Sequence, residues 1–347
     1  MKFIQFRIYQ RTSNIVDFCN IQDEYTSYMH LINKRSEIIK TKNNVIRAGV
    51  ILTADHNIYI ISDDEDHIKS SSKFQNESYF LTHLPEQLKN IKDQQQKFQA
   101  ERIQRLAHNI RSLNAKCLQS FYSVFSQEAI SNTENAIMDI LIQKISIEKY
   151  SIPNLLLKLH KNHLAVKTEF QVFENLYTEK PLLNKKRHKI HRVIMNVYYP
   201  FFSDFQEKNI KVNIHRSDEK AHFDYDAMHV AFFHILENAH KYTRPDSHLN
   251  IYTHVEANYS KIVFQMNSLA LDDVEIDHIF NEQWSSNLAK NTGKSGNGLG
   301  MFIVKRLIEM NNGTVIFEPD ISSRKLHNYN GLEIPYQQNK IIIKIPR

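Results

Sequence analysis

The chain has 347 residues, of which 41% are hydrophobic, and carries a formal charge of +6 at pH 7. This length allows two or three domains, and the hydrophobic content is enough for ordinary cores, so a folded and not a disordered protein is expected. The positive charge would suit an anionic partner, but the Lys and Arg residues are scattered, with the densest cluster at residues 185–187, so no nucleic-acid partner is expected.

The spacing of the cysteines and the hydropathy of the sequence indicate the cellular compartment of the protein. The two cysteines, Cys19 and Cys117, lie far apart and match no C-x-x-C spacing, which favours a reducing compartment. The first residues turn polar at once, unlike a signal peptide, and no run of about 18 apolar residues occurs in the sequence. We therefore expect a cytoplasmic protein without membrane insertion.

Residues 1–85 mix short strand-like runs with one polar helical stretch, which predicts a small N-terminal α/β domain. Within it, two apolar runs at residues 45–53 and 58–61 flank the polar Asp55-His-Asn57 and predict a hairpin of two strands. No ligand can be inferred from these residues, so we expect only a sensory or interaction role for this domain.

A long helix is predicted from Pro85 to about Gln127, because residues 86–127 contain no proline or glycine and are rich in Gln, Lys, Glu and Leu. Apolar residues recur within it at steps of three and four, as in the a/d seam of a coiled-coil or four-helix-bundle helix. The seam residues are Ile103, Leu106, Ile110, Leu113 and Cys117. Such a helix needs partner helices.

Further helices are predicted after Ser131-Asn-Thr133, which indicates a turn, and after Ser151-Ile-Pro153. A helical hairpin with apolar stripes buries them most simply against a second copy of itself. We therefore predict that residues 86–182 form a dimerising helical hairpin, although the segment 134–150 does not fit a simple two-helix count. The apolar series of the last helix comprises Leu156, Leu159, Val166, Phe170, Phe173 and Tyr177.

Residues 187–347 alternate helices and strands, which predicts a C-terminal α/β sandwich of ordinary domain size. An amphipathic helix is expected from Asp226 to Tyr242, with Met228, Phe232, Ile235 and Ala239 on one face. The whole chain is thus predicted to be an α+β multidomain protein. Its strands in this region are expected at residues 210–214, 249–255, 261–264, 314–317 and 340–345.

Four of the seven glycines lie close together, at positions 293, 296, 298 and 300, just before an apolar helix. A loop that closes over a triphosphate needs residues that adopt positive φ and bring backbone N–H groups to phosphate oxygens. The helix that begins near Met301 would point its positive end at the same anion. Thr292-Gly-Lys-Ser295 is similar to the end of a P-loop, but Leu288 stands where that motif requires its first glycine.

Two stretches resemble sensor histidine kinases. His234-Ile-Leu-Glu-Asn-Ala-His-Lys-Tyr-Thr243 resembles their N box, and the glycine stretch at 296–305 with Asn312-Gly-Thr314 resembles their G2 box and the following strand. The order and spacing of the boxes agree with that family between residues 100 and 345. The resemblance implies a GHKL (Bergerat) ATP-binding fold for residues 187–347, ATP and Mg²⁺ as ligands, and a mobile lid at residues 281–298.

The resemblance also implies roles for single residues. Asn238 would hold Mg²⁺ through its amide oxygen, which is a hard neutral donor, and Lys241 would neutralise phosphate charge. The remaining residues of the implied nucleotide site are Tyr242, Asn267, Gly296, Gly298, Leu299 and Gly300.

The G1 box of the family departs from its pattern here. Its Asp-x-Gly-x-Gly, whose Asp accepts a hydrogen bond from the adenine amino group, is replaced by Met266-Asn-Ser-Leu-Ala-Leu271. Asn267 would accept that bond through its amide oxygen, and a neutral acceptor binds more weakly than a carboxylate. We therefore expect reduced nucleotide affinity or an altered base preference.

Residues 105–114 resemble the H box, whose acceptor histidine would be His108. In the heptad above, His108 falls at position f, away from the seam and open to solvent. The family has an acid next, which acts as a general base on one ring nitrogen while the other attacks the γ-phosphoryl group. Asn109 can orient the ring but cannot take a proton, so we expect slower autophosphorylation, which Asn109→Glu would speed. Ser112 would orient water for the reverse dephosphorylation of a partner.

Two functional classes are left open. The first is a cytoplasmic, homodimeric, ATP-dependent protein histidine kinase that phosphorylates His108 and passes the phosphoryl group to a response-regulator aspartate. The second is a catalytically degenerate ATP-binding scaffold that controls another signalling protein through a nucleotide-driven conformational change. Asn109 and the missing G1 aspartate favour the second class, whereas Asn238, the glycine lid and His108 favour the first.

Overall fold

A computed structural model of the chain describes residues 4–13, 15–126, 134–177, 183–329 and 331–347. The chain divides into two compact units, residues 1–104 and 105–347. The predicted domain boundaries at residues 85 and 182 stay predictions. The predicted turn at Ser131-Asn-Thr133 and the side chain of Tyr177 lie outside the described residues.

The first unit contains a five-stranded antiparallel sheet with the strand order β2-β1-β5-β4-β3. Its strands are β1 (Gln5–Gln10), β2 (Val16–Cys19), β3 (Glu37–Lys40), β4 (Val45–Leu52) and β5 (His56–Ser62). Its short helices are α1 (Asp23–Thr26), α2 (Glu65–Lys69) and α3 (Ser71–Ser78), with 3₁₀ turns at Met29–Leu31 and Tyr79–Thr82. The predicted hairpin is confirmed as β4 and β5, although β5 begins at His56, so the turn is shorter than expected.

Both faces of this sheet are covered by apolar side chains. Ile58 and Ile60 of β5 belong to one buried cluster, which also contains Phe74 of α3. Ile61 of the same strand belongs to a second cluster, together with Ile46 of β4. Because successive residues of a strand point to opposite faces, the near-continuous apolar sequence of β5 follows from burial on both sides.

Three helices follow: α4 (Leu84–Val124), α5 (Glu134–Ile147) and α6 (Ser151–Tyr177). The long predicted helix is confirmed as α4, whose 41 residues span about 60 Å at the usual helical rise. The segment that did not fit a two-helix count is α5, which a short break at residues 148–150 separates from α6. Over the ranges that the structure describes, no helix is both long and apolar enough to cross a bilayer.

A second five-stranded sheet, ordered β11-β12-β10-β9-β7, lies in the C-terminal region, beside a two-stranded sheet of β6 and β8. β7 runs parallel to β9, and the other neighbouring strands are antiparallel. The strands are β6 (Lys185–Lys189), β7 (Lys211–Ile214), β8 (Lys220–Asp224), β9 (His248–Glu256), β10 (Tyr259–Leu269), β11 (Thr314–Tyr329) and β12 (Leu332–Pro346). This α/β sandwich is the predicted fold.

Helices pack on this sheet around one large core. They are α7 (Ile190–Tyr198), α8 (Phe202–Glu207), α9 (Tyr225–Tyr242) and α12 (Gly300–Met310), with a 3₁₀ turn at Tyr199–Phe201. Two short helices, α10 (Asp273–Ile276) and α11 (Asn287–Asn291), contribute no residue to this core. The predicted apolar face of α9 is fully buried, and its Phe232 ring lies 5.8 Å from that of Phe264 on β10. Asp224 caps α9 by accepting a hydrogen bond from the Ala227 N–H at 2.8 Å.

Strands β10, β11 and β12 extend well beyond the runs predicted from the sequence. The added length of β11 and β12 is a hairpin of mixed polar and apolar residues, paired as far as Tyr329 and Leu332. Backbone pairing rather than apolar alternation sustains it, so the sequence pattern gives no signal for it. β11 lies at one edge of the described sheet, and its register with β12 shifts between Asp320 and Lys325.

Candidate nucleotide-binding site

The last two turns of α9 present three of the predicted site residues on one side. Asn238, Lys241 and Tyr242 are half-buried, whereas Ile235 and Ala239 of the same helix are buried in the core. Residues three and four positions apart share a helix face, so the three side chains lie together at the rim of the core. Because the neighbouring face is buried in the core, the helix cannot rotate about its axis, and the three side chains are held on the same side.

The glycine loop folds back tightly on the segment before it. Gly298 has a φ of +66°, and a Cβ added there would lie 2.4 Å from the carbonyl carbon of Gln283 and 2.6 Å from the Trp284 nitrogen. Gly293 also has a φ of +66°, but a Cβ at that position would meet nothing within 4 Å. Gly298 is thus required both by its conformation and by close backbone approach.

The same loop meets the rim residues of α9. A Cβ added at Gly296 would lie 2.8 Å from Lys241 Nζ. One added at Gly300, the first residue of α12, would lie 3.3 Å from Asn238 Nδ2 and 3.8 Å from Asn238 Oδ1. The structure therefore brings Asn238, Lys241, Gly296 and Gly300 together, although they are up to 62 positions apart in the sequence.

Lysine side chains give this region an electrostatic character that suits anions. Burial lowers the pKa of Lys241, and it also lowers the pKa of Lys294. The pKa of Lys208 is lowered first by burial and then by the charge of Lys294, while its Nζ donates to the Lys241 carbonyl oxygen at 3.5 Å. A bound polyphosphate would stabilise the charged form of these lysines, so the region fits an anion.

The G1 position provides a buried acceptor. Asn267 lies in β10, and its backbone oxygen accepts from the Arg244 N–H at 2.9 Å. Its side-chain Oδ1 is buried and has no hydrogen-bond partner among the described residues. Leaving such an acceptor unpaired costs about 1 to 3 kcal/mol. A hydrogen-bond donor such as an exocyclic amino group would satisfy this oxygen.

A buried polar network that the sequence analysis missed supports the segment after Asn267. Asn339 Nδ2 donates to Ser268 Oγ at 2.8 Å and to the Leu269 carbonyl at 3.1 Å. Gln337 Nε2 donates to Asn339 Oδ1 at 2.9 Å, and Arg324 Nε donates to Gln337 Oε1 at 3.0 Å. The signal in the sequence was the polar run at residues 337–340, which directly precedes the apolar run at residues 341–343.

Two further predicted residues take part in packing. Tyr242 lies against a buried cluster that includes Leu269 and Tyr336, and burial raises the pKa of its phenol. Lys241 Nζ lies 5.2 Å from the centroid of the Tyr242 ring. The side chain of Leu299 packs against the main core. Leu299 therefore contributes to the glycine loop through its backbone only.

His234 is a second residue that the sequence analysis missed. It lies one helical turn before Asn238 and is 8% exposed. Its Nδ1 is 3.6 Å from Glu237 Oε2 and would be 3.8 Å from a Cβ at Gly300. Its Nε2 is buried without a hydrogen-bond partner among the described residues. The i, i+4 spacing to Asn238 was the available signal.

The predicted H-box residues lie on α4. His108 and Ser112 are exposed, whereas Asn109 is half-buried and its Nδ2 donates to Glu169 Oε2 on α6 at 3.1 Å. No hydrogen bond or ion pair between described residues joins His108 to Asn238. The two sets of predicted site residues are therefore separate in this structure.

The described residues do not form a metal site from their own side chains alone. No group of three or more His, Cys, Asp or Glu side chains that could hold a metal ion occurs there. A divalent cation at this site would therefore need oxygen ligands from the nucleotide in addition to Asn238.

Comparison with known proteins identifies a family for the C-terminal region. Residues 223–345 match the family described as histidine kinase-, DNA gyrase B-, and HSP90-like ATPase. Sensor protein kinase WalK of Staphylococcus aureus is 27% identical over 95 residues, which are 27% of this chain and 23% of that protein. Its counterpart in strain JH9 has the same identity over 16% of its length. The match thus spans less than a quarter of these relatives.

Solved structures give fold likenesses of lower identity. The catalytic domain of histidine kinase ThkA is 16% identical, with a TM-score of 0.37 over 47% of this chain and 96% of that one. Acinetobacter baumannii histidine kinase AdeS is 13% identical, with a TM-score of 0.36 over 69% of this chain and 97% of that one.

The family assignment rests on the sequence matches. They cover α9, the strands β9 to β12, the glycine loop and α12, which hold Asn238, Lys241, Asn267 and the lid glycines. Such a domain binds ATP. Residues 223–345 are therefore an ATPase domain of the histidine kinase, DNA gyrase B and HSP90-like family, and this part of the chain is similar to sensor protein kinases.

Proposed function

We propose that this chain is an ATP-dependent protein histidine kinase that phosphorylates its own His108. The observation that supports this most is the meeting of Gly296 with Lys241 and of Gly300 with Asn238. A loop free of side chains at these two points lets its backbone approach Lys241 and Asn238, the side chains to which we assign phosphate and Mg²⁺ binding. The exposed imidazole of His108 supplies an accessible acceptor.

The proposed roles follow from side-chain chemistry. Asn238 would hold Mg²⁺ through its amide oxygen, and the cation would neutralise charge on the phosphates. Lys241 and the N-terminal end of α12 stabilise the same anion, and Asn267 Oδ1 accepts from the base. A ring nitrogen of His108 attacks the γ-phosphorus, so a P–N bond forms, the bond to ADP oxygen breaks, and the proton on the other ring nitrogen leaves to solvent.

Assembly and partners belong to the same proposal. Large apolar side chains are exposed on the helical region, among them Ile103 of α4 and Leu156 of α6, and a second copy of the chain would cover them. We propose a homodimer through these helices, a response-regulator aspartate as the next acceptor, and a cytoplasmic location for this region.

The test is incubation of the purified chain with γ-labelled ATP and Mg²⁺. Phosphohistidine is labile in acid and resistant to base, so the label should show that stability and vanish in His108→Gln. Asn238→Ala should abolish the label and weaken ATP binding in calorimetry, because the metal ligand is lost. An unaltered chain that binds no ATP would contradict the proposal altogether.

A scaffold without phosphotransfer is the second candidate, and three positions favour it. Asn267 replaces a carboxylate, and Leu269 and Leu271, both buried, replace glycines of the G1 box. Asn267→Asp should then tighten ATP binding without producing a label on His108. ATP binding with no acid-labile label in either chain would establish the scaffold and exclude the kinase.

A further inference from the structure

A hydrogen bond between α4 and α6 holds the residue that follows the proposed acceptor histidine. Asn109 follows His108 on α4, and its Nδ2 donates to Glu169 Oε2 on α6 at 3.1 Å. The two residues are 60 positions apart in the sequence, and both are half-buried. A carboxylate on α6 thus contacts the side chain at position 109, where the family has its acid.

The chemistry of this pair fixes the orientation of the Asn109 amide. An ionised carboxylate only accepts hydrogen bonds, so the amide must turn its NH₂ group toward Glu169. Its Oδ1 is then directed away from Glu169. A hydrogen bond to a charged acceptor is also stronger than one between neutral groups, which makes the reversed orientation unfavourable.

We propose that Glu169 is a positioning residue for His108. By holding Asn109, it presents Oδ1 as the acceptor for one ring N–H of His108, which fixes the tautomer and leaves the other nitrogen with its lone pair exposed for attack. Asn109 cannot take the proton, so Glu169 acts on orientation and not as a base. The proposal rests on His108 as the phosphoacceptor.

The geometry also changes the expectation for Asn109→Glu. With Glu169 opposite, that substitution places two carboxylates at about hydrogen-bond distance, where like charges oppose each other. Asn109→Glu combined with Glu169→Gln reverses the pair, because the amide NH₂ introduced at position 169 then donates to the carboxylate introduced at position 109. The double variant should succeed where Asn109→Glu alone does not.

The nucleophilicity of His108 can be measured on the full chain without ATP. Diethylpyrocarbonate acylates neutral imidazole, and trypsin releases residues 106–111, whose single histidine is His108. Mass spectrometry of this peptide over time gives the acylation rate. Glu169→Gln allows both orientations of the Asn109 amide, so it should slow acylation roughly fivefold, as for loss of one ordinary hydrogen bond.

Matched variants separate positioning from a merely structural role. Glu148→Gln removes the same charge from the same helical region and should leave the rate at His108 unchanged. Asn109→Glu with Glu169→Gln should restore the rate. Circular dichroism should show the same helix content in all chains, so that a difference in rate reports on the imidazole.

Equal acylation rates in the unaltered chain and Glu169→Gln would overturn the proposal, and so would a double variant as slow as Glu169→Gln. The extent of phosphorylation by γ-labelled ATP should rank the variants in the same order as the acylation rate of His108. A chain whose acylation depends on Glu169 but which is never phosphorylated by ATP would support the positioning role of Glu169. The same result would refute the proposed kinase function. The two failures are therefore distinguishable.

Discussion

Gly298 shows at the scale of one residue how the lid is built. Its positive φ can be adopted by glycine without strain, and its Cα approaches the backbone of Gln283 and Trp284 too closely for any side chain. Gln283 itself has a φ of 61°, so the segment opposite is also bent. The loop is thus held by backbone shape, which brings Gly296 to Lys241.

Gly298→Ala and Gly293→Ala form a matched pair that tests this. Both place alanine at a φ of +66°, which costs roughly 1 to 2 kcal/mol, but only Gly298→Ala also meets backbone atoms. We expect Gly298→Ala to weaken ATP binding at least about tenfold and Gly293→Ala to leave it within about twofold. Calorimetric titration with ATP and Mg²⁺ gives both values. Equal losses would show that close approach at Gly298 does not matter.

Asn109 marks the limit of prediction for the site. The residues on α9 and in the loop were predictable because each box is a local pattern. Glu169 was not, because its contact with Asn109 depends on the angle and register of two helices that no local pattern sets. Asn267 was predicted by position, but its unpaired Oδ1 becomes visible only when the surrounding strands are in place.

At the scale of elements, helices and strands could be predicted from the sequence where their apolar residues recur periodically. α4 and α9 were predicted because many apolar residues recur at helical spacing over their length. β11 and β12 were predicted only where they are apolar, since partner strands and not their own residues define the rest. A helix was predicted after Ser131-Asn-Thr133, but α5 did not fit the count of a two-helix hairpin, because only the short break at residues 148–150 separates it from α6.

The predicted seam of α4 provides a test of the proposed dimer. Ile110→Asp places a charge among apolar side chains, and an unpaired buried charge is strongly unfavourable, so the dimer should dissociate. Gln119→Asp adds the same charge at an exposed position of α4 and should not affect assembly. Light scattering at micromolar concentration measures both. A monomeric unaltered chain, or an Ile110→Asp chain that remains dimeric, would contradict the seam.

At the scale of the whole molecule, burial of ionisable groups in the C-terminal core links stability to pH. His229 on α9 is buried, and burial followed by the charge of Lys167 lowers its pKa to about 4, against the opposing effect of Asp226. Burial and then Lys208 lower the pKa of His240 to about 4 as well. Both imidazoles are therefore neutral in the folded chain at pH 5 and above.

Acidification should destabilise this region for that reason. Between pH 6.5 and 4 the unfolded chain binds a proton at His229 that the folded chain does not, so stability falls as the pH falls through this range. From pH 7 to 5, His229 alone should contribute a loss of about 2 kcal/mol in the free energy of unfolding. Urea unfolding followed by the fluorescence of Trp284, the single tryptophan, measures it. His229→Gln should lose less free energy of unfolding between pH 7 and 5. If the dependence of this free energy on pH were the same in both chains, His229 would not be the group responsible.

The shift of register in β11 has a consequence for solubility. An edge strand of this length offers unpaired backbone groups to other chains, and Ile316, Ile321 and Leu326 on it are exposed. The irregular segment from Asp320 to Lys325 divides it into two shorter ladders and carries Arg324 and Lys325. Bends and positive charges on an edge oppose pairing with another copy, so this irregularity protects the sheet against edge-to-edge aggregation.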